Sequence, residues 1–178
     1  MDIETTRLLL RPLRDDDAPA MAQSLNNYDV AKNLARVPFP YAVEAAKDFI
    51  TRQRSFVAPA KICAMAFRCA PDELIGVVSF EASLDFGYWL RPCCWNMGIM
   101  SEAALALVNH AFAVEKLERL SSSYHLDNPN SGRILRKLGF VETHGQMQFS
   151  LAQGNAVSTM KLLLTRENWL DQQKGRAT

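Results

Sequence analysis

The centre of the chain changes the period of its apolar residues, and this change restricts the possible folds more than any other feature. Residues 62–67, 74–80 and 85–90 have the continuous or alternating apolar patterns of β-strands. The helix predicted after them carries one apolar stripe, formed at helical spacing by Ala104, Leu107, Val108, Ala111 and Phe112. Short strands followed by an amphipathic helix predict an α/β domain.

The flanking segments extend this pattern. Further elements are predicted as a strand at 7–13, helices at 18–25 and 46–53, a strand at 120–126, a helix from Asn128 that stops at Gly139, and an antiparallel pair at 140–151 and 157–164. We therefore expect one domain over residues 1–170 and a polar tail over 171–178 that frays.

Composition and charge exclude several classes of protein. A chain of 178 residues with a formal charge of +1 has no global basic field, so nucleic acid is not expected as a direct ligand. The acidic start and the lack of a long apolar run argue against a secretory signal and a membrane span. The cysteines Cys63, Cys69, Cys93 and Cys94 lack metal-ligand spacing, so we predict reduced thiols, no metal site and a cytoplasmic location.

The segment from Leu90 to Glu102 is the first candidate site. A strand ends at Leu90, a loop containing Gly98 follows, and a helix is predicted to begin at Ser101 as its capping residue. A helix N-terminus presents free N–H groups and a partial positive charge, so it can hold a pyrophosphate without a lysine. The same pattern also fits an ordinary strand-loop-helix turn, and neither a Walker loop nor a Rossmann fingerprint is present.

A second segment makes the pattern specific. Asn128-Pro129-Asn130-Ser131 precedes a short basic helix and Leu138-Gly139-Phe140, while Gly87-Tyr88-Trp89-Leu90 precedes the loop and Glu4 to Leu13 opens the chain. Together these motifs resemble the GNAT superfamily of N-acetyltransferases, in particular the RimJ and RimL type. The resemblance implies a central, mostly antiparallel twisted sheet flanked by helices, whose fourth and fifth strands splay apart, and it implies acetyl-CoA as co-substrate.

The resemblance also assigns residues to acetyl-CoA. It implies that main-chain groups at Leu90 and the side chain of Asn128 contact the pantetheine, although Asn128 also fits a helix cap. The pyrophosphate loop would comprise Trp95, Asn96, Met97, Gly98, Ile99, Met100 and Ser101. Only Gly98 remains of the two small residues usual there. Asn96 tolerates a left-handed backbone, so we expect the turn to persist, and Met97 replaces a frequent basic residue, which leaves phosphate binding to the amides.

The resemblance implies fewer catalytic groups. The tyrosine that many GNAT enzymes use as general acid is replaced here by Leu135, so that mechanism does not transfer. Ser131 is the candidate for a hydrogen bond to the sulfur, with a structural first-turn serine as the alternative. Asp85 and Glu81 are the candidate bases, although Asp85 also fits a turn.

Four further groups complete these assignments. An N–H near Leu90 is the expected oxyanion donor. His110, His125 and His144 are interpreted as structural, since His110 flanks the buried stripe of its helix and the other two lie in strand-like stretches with no paired acid in the sequence.

We therefore expect an enzyme that transfers an acetyl group from acetyl-CoA to a primary amine by direct attack in a ternary complex. The acceptor would be a protein N-terminus or a small molecule, selected by residues 37–41, the first two helices and the closing hairpin. Two alternatives remain: a degenerate GNAT-fold module that binds acyl-CoA or peptide without turnover, and an antitoxin-linked or antibiotic-modifying acetyltransferase. A homodimer is left open.

Overall fold

An eight-stranded sheet runs through the molecule in the order β1-β2-β3-β4-β5-β6-β8-β7. The computed structural model describes residues 2–53 and 59–176. The strands are β1 (Ile3–Glu4), β2 (Leu8–Pro12), β3 (Lys61–Phe67), β4 (Gly76–Phe80), β5 (Asp85–Leu90), β6 (Arg119–His125), β7 (Val141–Ser150) and β8 (Asn155–Thr165). The helices are α1 (Ala18–Leu25), α2 (Tyr28–Ala31), α3 (Val43–Gln53), α4 (Ile99–Ala113), α5 (Pro129–Lys137) and α6 (Arg166–Arg176).

The pairing of β5 with β6 differs from every other pairing in the sheet. All other neighbours are antiparallel, whereas β5 and β6 are parallel and pair only where Asp85 and Phe86 face Ser121 and Ser122. Beyond Phe86 and Ser122 the two strands have no paired residues, so a gap opens toward their C-terminal ends. This confirms the predicted mixed, mostly antiparallel sheet with splayed central strands, which are β5 and β6 because the short β1 precedes them.

Helices cover the two faces of the sheet, and the two packed layers differ in size. The α4 face packs against α4, α5 and α6 and holds the larger apolar cluster, which includes Leu10, Phe80, Phe86, Leu107 and Phe112. The α3 face packs against α1, α2 and α3 and holds a smaller cluster that includes Met21, Leu25, Ile50, Val77 and, at its margin, Trp89. Strand alternation explains this division, because successive side chains point to opposite faces. The predicted faces of β5, with Phe86 and Leu90 opposite Trp89, are confirmed.

A buried ion pair supports the α3 face. Arg11 of β2 and Asp17, just before α1, are 1% and 3% exposed, and two N–O contacts of 2.8 and 2.7 Å join them. The remaining Arg11 donors bind the carbonyl oxygens of Pro12, Pro71 and Asp72. Because every charged group here has partners, the pair fixes α1 against β2 at an otherwise apolar layer.

The structure corrects three expectations about the helices. Helix α4 begins at Ile99 rather than at Ser101, because Gly98 adopts the left-handed conformation and its carbonyl accepts the first helical hydrogen bond, from Glu102. Ser101 therefore lies in the first turn and is not the cap. The short helix α2 was not predicted, and Asn27 caps it by accepting a hydrogen bond from the Asp29 amide.

The third correction concerns the C-terminal segment. Residues 166–176 form α6, and the predicted boundary at residue 170 falls inside this helix. Trp169 explains why the helix docks: its ring stacks on Phe112 at 5.4 Å and its indole N–H donates to Asn109. Gln173 donates to the same Asn109 oxygen. Among residues 2–53 and 59–176, no helix combines the length and apolarity needed to cross a membrane.

Candidate functional site

The gap between β5 and β6 exposes main-chain groups that the sheet does not use. Along β5 the hydrogen bonds to β4 involve alternate residues, as the Asp85 carbonyl and the Arg91 amide show by pairing with Glu81 and Ile75. The intervening residues Tyr88 and Leu90 therefore direct their N–H and C=O groups toward β6, where the pairing has ended. The predicted oxyanion role of an N–H near Leu90 remains a prediction, but these groups lie at the edge of the gap.

The loop that follows β5 has two left-handed residues that turn the chain into α4. Asn96 has a φ of 59° and Gly98 a φ of 71°, which confirms that asparagine maintains the turn. No hydrogen bond within the described residues uses the amides of Ile99, Met100 or Ser101, so these three N–H groups point out of the helix end. The side chains of Ile99 and Met100 are buried in the core, so only their amides are free to meet an anion.

The opening segment of the chain braces this loop from behind. Arg7 donates to the carbonyl of Met97 at 2.9 Å and to the Glu102 carboxylate at 2.6 Å, and Thr5 donates to the same carboxylate at 2.6 Å. Burial raises the pKa of Glu102, but these hydrogen bonds and the positive charge of Arg7 outweigh it and lower the pKa overall. The motif at residues 4–13 thus holds the loop in place through Thr5 and Arg7.

Trp95 closes the end of β5. Its indole N–H donates to the Leu90 carbonyl at 2.8 Å, and its ring is 40% exposed. The Leu90 carbonyl is therefore already occupied, which leaves the Leu90 N–H and the Tyr88 main chain as the groups of β5 that face the gap. Met97, which occupies a position that is often basic, exposes its side chain, and its carbonyl accepts a hydrogen bond from Arg7.

On the opposite side of the gap, α5 begins as the sequence predicts. Asn128 caps the helix by accepting a hydrogen bond from the Ser131 amide at 3.3 Å, and Pro129 is the first helical residue. The helix ends in a Schellman motif in which the amides of Phe140 and Gly139 bind the carbonyls of Leu135 and Arg136. The side-chain nitrogen of Asn128 has no protein partner among the described residues, so the capping role and the predicted pantetheine contact are compatible.

Ser131 contacts Tyr88, a residue to which the sequence assigned no role of its own. Its hydroxyl oxygen lies 3.0 Å from the Tyr88 hydroxyl, which is also 3.2 Å from the Ser131 carbonyl oxygen. Tyr88 comes from β5 and Ser131 from α5, so this contact spans the open end of the gap on the α4 face. By contrast, Leu135 is fully buried and only fills the core.

The two candidate bases lie on the α3 face, each beside a cation. Both carboxylate oxygens of Glu81 bind Arg36. Asp85 accepts a hydrogen bond from Ser121 at 2.5 Å and lies 3.8 Å from the ammonium of Lys161. Most of the acceptor capacity of Glu81 is therefore used within the protein, and Asp85 is the more accessible of the two.

The histidines divide into two groups. His110 is buried and its Nε2 lies 3.0 Å from Glu115, while His144 is exposed beside Thr143, which agrees with structural roles. His125 is buried at the end of β6, and its Nδ1 has no hydrogen-bond partner. Burial lowers the pKa of His125 despite the nearby Asp127 and a hydrogen bond to the Lys32 main chain, so the ring is neutral near pH 7.

The loop before α4, the C-terminal half of β5, the start of α5 and the two candidate bases line one continuous cleft of about 1230 Å³ that reaches both faces of the sheet. Every residue predicted for the site lines it except Met97, and Tyr88 and His125 line it as well. A pocket for one drug-sized ligand has a volume of roughly 300–1,000 Å³, so the cleft has room for more than one such ligand. A signal for Tyr88 existed in the Gly87–Leu90 motif, but its partner on α5 could not be read from the sequence.

Comparison with known proteins assigns the chain to a family. A family model described as "Acetyltransferase (GNAT) domain" matches residues 7–141. A Bacillus subtilis protein named uncharacterized N-acetyltransferase YoaA is 27% identical over 163 residues, which cover 88% of this chain and 92% of the relative. The ribosomal-protein-serine acetyltransferase of Escherichia coli is 36% identical over 76 residues, covering 39% of this chain and 42% of that protein.

Solved structures show the same fold. A RimL ribosomal L7/L12 α-N-protein acetyltransferase in complex with coenzyme A superimposes with a TM-score of 0.75 at 24% identity, covering 93% of this chain and 98% of that one. A GNAT-family acetyltransferase from Bacillus anthracis gives a TM-score of 0.78 at 21% identity, covering 94% and 99%. The family match spans the loop, the gap and the start of α5, which are the parts that form the cleft. The chain therefore belongs to the GNAT acetyltransferase family.

Proposed function

We propose that the protein transfers the acetyl group of acetyl-CoA to a primary amine, a protein N-terminal α-amine, by direct attack in a ternary complex. The observation that supports this most is the joint placement of three features along one cleft. These are the free amides at the start of α4, the open main chain of β5 and the Ser131 hydroxyl at the start of α5. Each matches a different part of a thioester of CoA.

The donor contacts follow from these features. The amides of Ile99, Met100 and Ser101 and the positive end of the α4 dipole suit the pyrophosphate, and no lysine or arginine is needed there. The Leu90 N–H and the Tyr88 main chain suit the amide groups of pantetheine, joined by the unpartnered nitrogen of Asn128. Trp95 and Asn96 shape the loop between them, and Gly98 supplies its left-handed turn.

The chemistry demands little acid or base strength. An α-amino group has a pKa of about 8, so a useful fraction is neutral near pH 7. The leaving thiolate has a parent pKa of about 8.5, so a hydrogen bond from Ser131 is sufficient assistance. Most of the rate enhancement then comes from alignment of the amine with the thioester, whose developing negative charge an N–H of β5 near Leu90 stabilises.

The acceptor enters from the α3 face in this proposal. Asp85 and Glu81 lie on that face at the closed end of the gap, where their carboxylates attract and orient an incoming ammonium. Asp85 receives the amine proton, directly or through water, because Glu81 is held by Arg36. A protein N-terminus is favoured as the acceptor by the Escherichia coli relative, whose name is ribosomal-protein-serine acetyltransferase, and a cytoplasmic location accords with such a substrate.

The proposal can be tested by measuring the release of the CoA thiol from acetyl-CoA in the presence of each member of a panel of amines. We expect turnover with short peptides that have a free N-terminus, and no turnover with the same peptides after N-terminal blocking. Ser131→Ala should lower kcat about tenfold and leave the Kd of acetyl-CoA within about twofold, the usual range for loss of one assisting hydrogen bond. If this variant has the wild-type kcat and the wild-type Kd of acetyl-CoA, Ser131 has only a structural role in α5.

A second candidate function is binding without turnover. The buried Leu135 favours it, because the hydroxyl that many family members have at this position is absent. Calorimetry with acetyl-CoA separates the two functions when it is combined with the thiol assay. Tight binding with no thiol release for any amine in the panel would favour the binding module over the enzyme.

A further inference from the structure

Tyr88 is a partly buried tyrosine whose hydroxyl joins β5 to α5 in the cleft. Its oxygen is 3.0 Å from Oγ of Ser131 and 3.2 Å from the Ser131 carbonyl oxygen. The ring packs edge-on against Phe86 at 5.8 Å, which fixes the direction of the hydroxyl. The proposed function uses Ser131 and assigns no role to this side chain.

Two hydrogen-bond arrangements are compatible with these distances. When Tyr88 donates to the Ser131 carbonyl, the Ser131 hydroxyl can donate back to Tyr88, and its hydrogen is then unavailable to a ligand. When Tyr88 donates to Oγ of Ser131, the Ser131 hydrogen is free to point into the cleft. The tyrosine hydroxyl therefore determines where the serine hydrogen points.

The pKa of the Tyr88 hydroxyl decides whether it can transfer its proton or only donate a hydrogen bond. Burial raises the pKa of Tyr88 to about 12, against the opposing effect of its hydrogen bond with Ser131. Complete transfer of its proton to a thiolate with a parent pKa of about 8.5 would be unfavourable by more than about a thousandfold. Tyr88 therefore keeps its proton at neutral pH and remains a hydrogen-bond donor.

We propose that Tyr88 is a positioning residue, which donates its hydrogen to Oγ of Ser131 and so directs the Ser131 hydrogen to the leaving sulfur. This inference rests on the proposed acetyl transfer. It gives a function to a tyrosine on β5 in a chain whose α5 carries Leu135 instead of a tyrosine. The Tyr88 and Ser131 hydroxyls act only by orienting hydrogen bonds, so neither of them loses its proton in the reaction.

The transfer step balances without proton loss from either hydroxyl. The neutral amine nitrogen forms a bond to the acetyl carbon, the C–S bond breaks, and its electron pair stays on sulfur as the thiolate. The nitrogen loses one proton, which passes through Asp85 or water to solvent. The thiolate leaves with a hydrogen bond from Ser131, whose oxygen accepts the hydrogen bond from Tyr88.

Tyr88→Phe tests this proposal because it removes only the hydroxyl. With an unblocked peptide as acceptor, we expect kcat to fall about tenfold while the Kd of acetyl-CoA, measured by calorimetry, stays within about twofold. In a Ser131→Ala background the same substitution should change kcat by less than about twofold, since the group it positions is already missing. Ser131→Thr keeps the hydroxyl and should retain most of the wild-type kcat.

The matched control is Tyr124→Phe, which removes a tyrosine hydroxyl that donates to Glu142 instead. It should leave kcat within about twofold. Urea unfolding of the same variant measures any loss of stability. The inference falls if Tyr88→Phe is as active as the wild type, if its loss adds in full to that of Ser131→Ala, or if Ser131→Thr loses as much kcat as Ser131→Ala. Absence of turnover in the wild type itself would instead overturn the proposed function.

Discussion

The two faces of the sheet contribute to the cleft in different ways. On the α4 face the candidate donor contacts are main-chain groups held by backbone geometry, namely the left-handed Asn96 and Gly98 and the start of α4. On the α3 face the candidate acceptor contacts are side chains in ion pairs, such as Glu81 with Arg36 and Asp85 with Lys161. The α4 face also has the larger apolar core.

This difference explains why one substrate can be inferred from the chain and the other cannot. A main-chain site needs only a particular backbone, so the few residues that permit it, such as Gly98, leave a readable motif. A side-chain site depends on which groups from α1, α3, β6 and β8 meet in space, and those groups follow no fixed spacing. The donor can therefore be predicted from a motif, whereas the acceptor cannot.

The largest expected effect comes from breaking the ion pair that supports the α3 face. Asp17→Ala leaves Arg11 buried without its partner, and we expect the free energy of unfolding to fall by about 3–5 kcal/mol. Urea unfolding measures this change. Asp72→Ala is the control, because the Asp72 carboxylate is 83% exposed in its pair with Arg14, and it should cost less than about 1 kcal/mol. Equal losses would show that the α3 face does not depend on the buried pair.

An intermediate effect should separate backbone geometry from general stability. Gly98→Val places a β-branched residue at a φ of 71°, which costs on the order of 1–3 kcal/mol of strain, so the loop reshapes and the Kd of acetyl-CoA rises about tenfold or more. The reason is strain, because a Cβ at Gly98 would contact only Arg7, at 3.6 Å. Calorimetry measures the affinity.

Gly154→Val is the matched control for that substitution. Gly154 has a φ of 68°, and no atom lies near the position of its added Cβ, in the turn between β7 and β8. The variant should be strained by a similar amount and bind acetyl-CoA like the wild type. If both variants lose affinity equally, the α4 loop has no special role in donor binding.

The smallest effect concerns the brace between the N-terminal segment and the loop. The pKa of Glu102 is lowered in the folded state, so its contribution to stability is complete above the unfolded pKa of about 4.3 and is lost as pH falls through the folded pKa. Glu102→Gln should reduce the free energy of unfolding by about 1 kcal/mol at pH 7, and by progressively less in acid.

Urea unfolding of the wild type and Glu102→Gln at a series of pH values measures that difference. Glu118→Gln serves as control, because its carboxylate is 81% exposed beside Arg166 and should contribute about 0–1 kcal/mol. If the difference in free energy of unfolding between the wild type and Glu102→Gln stays constant into strong acid, the ionised Glu102 carboxylate does not supply this stability.

Sequence patterns predicted much of the fold and part of the site. The strands from β2 to β8, the faces of β5 and both ends of α5 follow from apolar period, the Asn128-Pro129 start and the Gly139 stop, because these are local signals. Helices α2 and α6 were missed, since α2 has only four residues and α6 lacks a marked apolar stripe. The sequence pattern wrongly predicts Ser101 as the cap of α4, because it does not show that Gly98 is left-handed and begins the helix.

By itself, the sequence determined the order of strands and helices, the glycine turn before α4, the capped start of α5 and the resemblance to GNAT enzymes. Each of these depends on neighbours within a few residues along the chain. Only the tertiary structure decided that Tyr88 meets Ser131, that Arg7 braces Met97 and Glu102, and that Arg36 and Lys161 lie beside the candidate bases. These contacts join residues 43 to 95 positions apart, so they exist only once the sheet has formed.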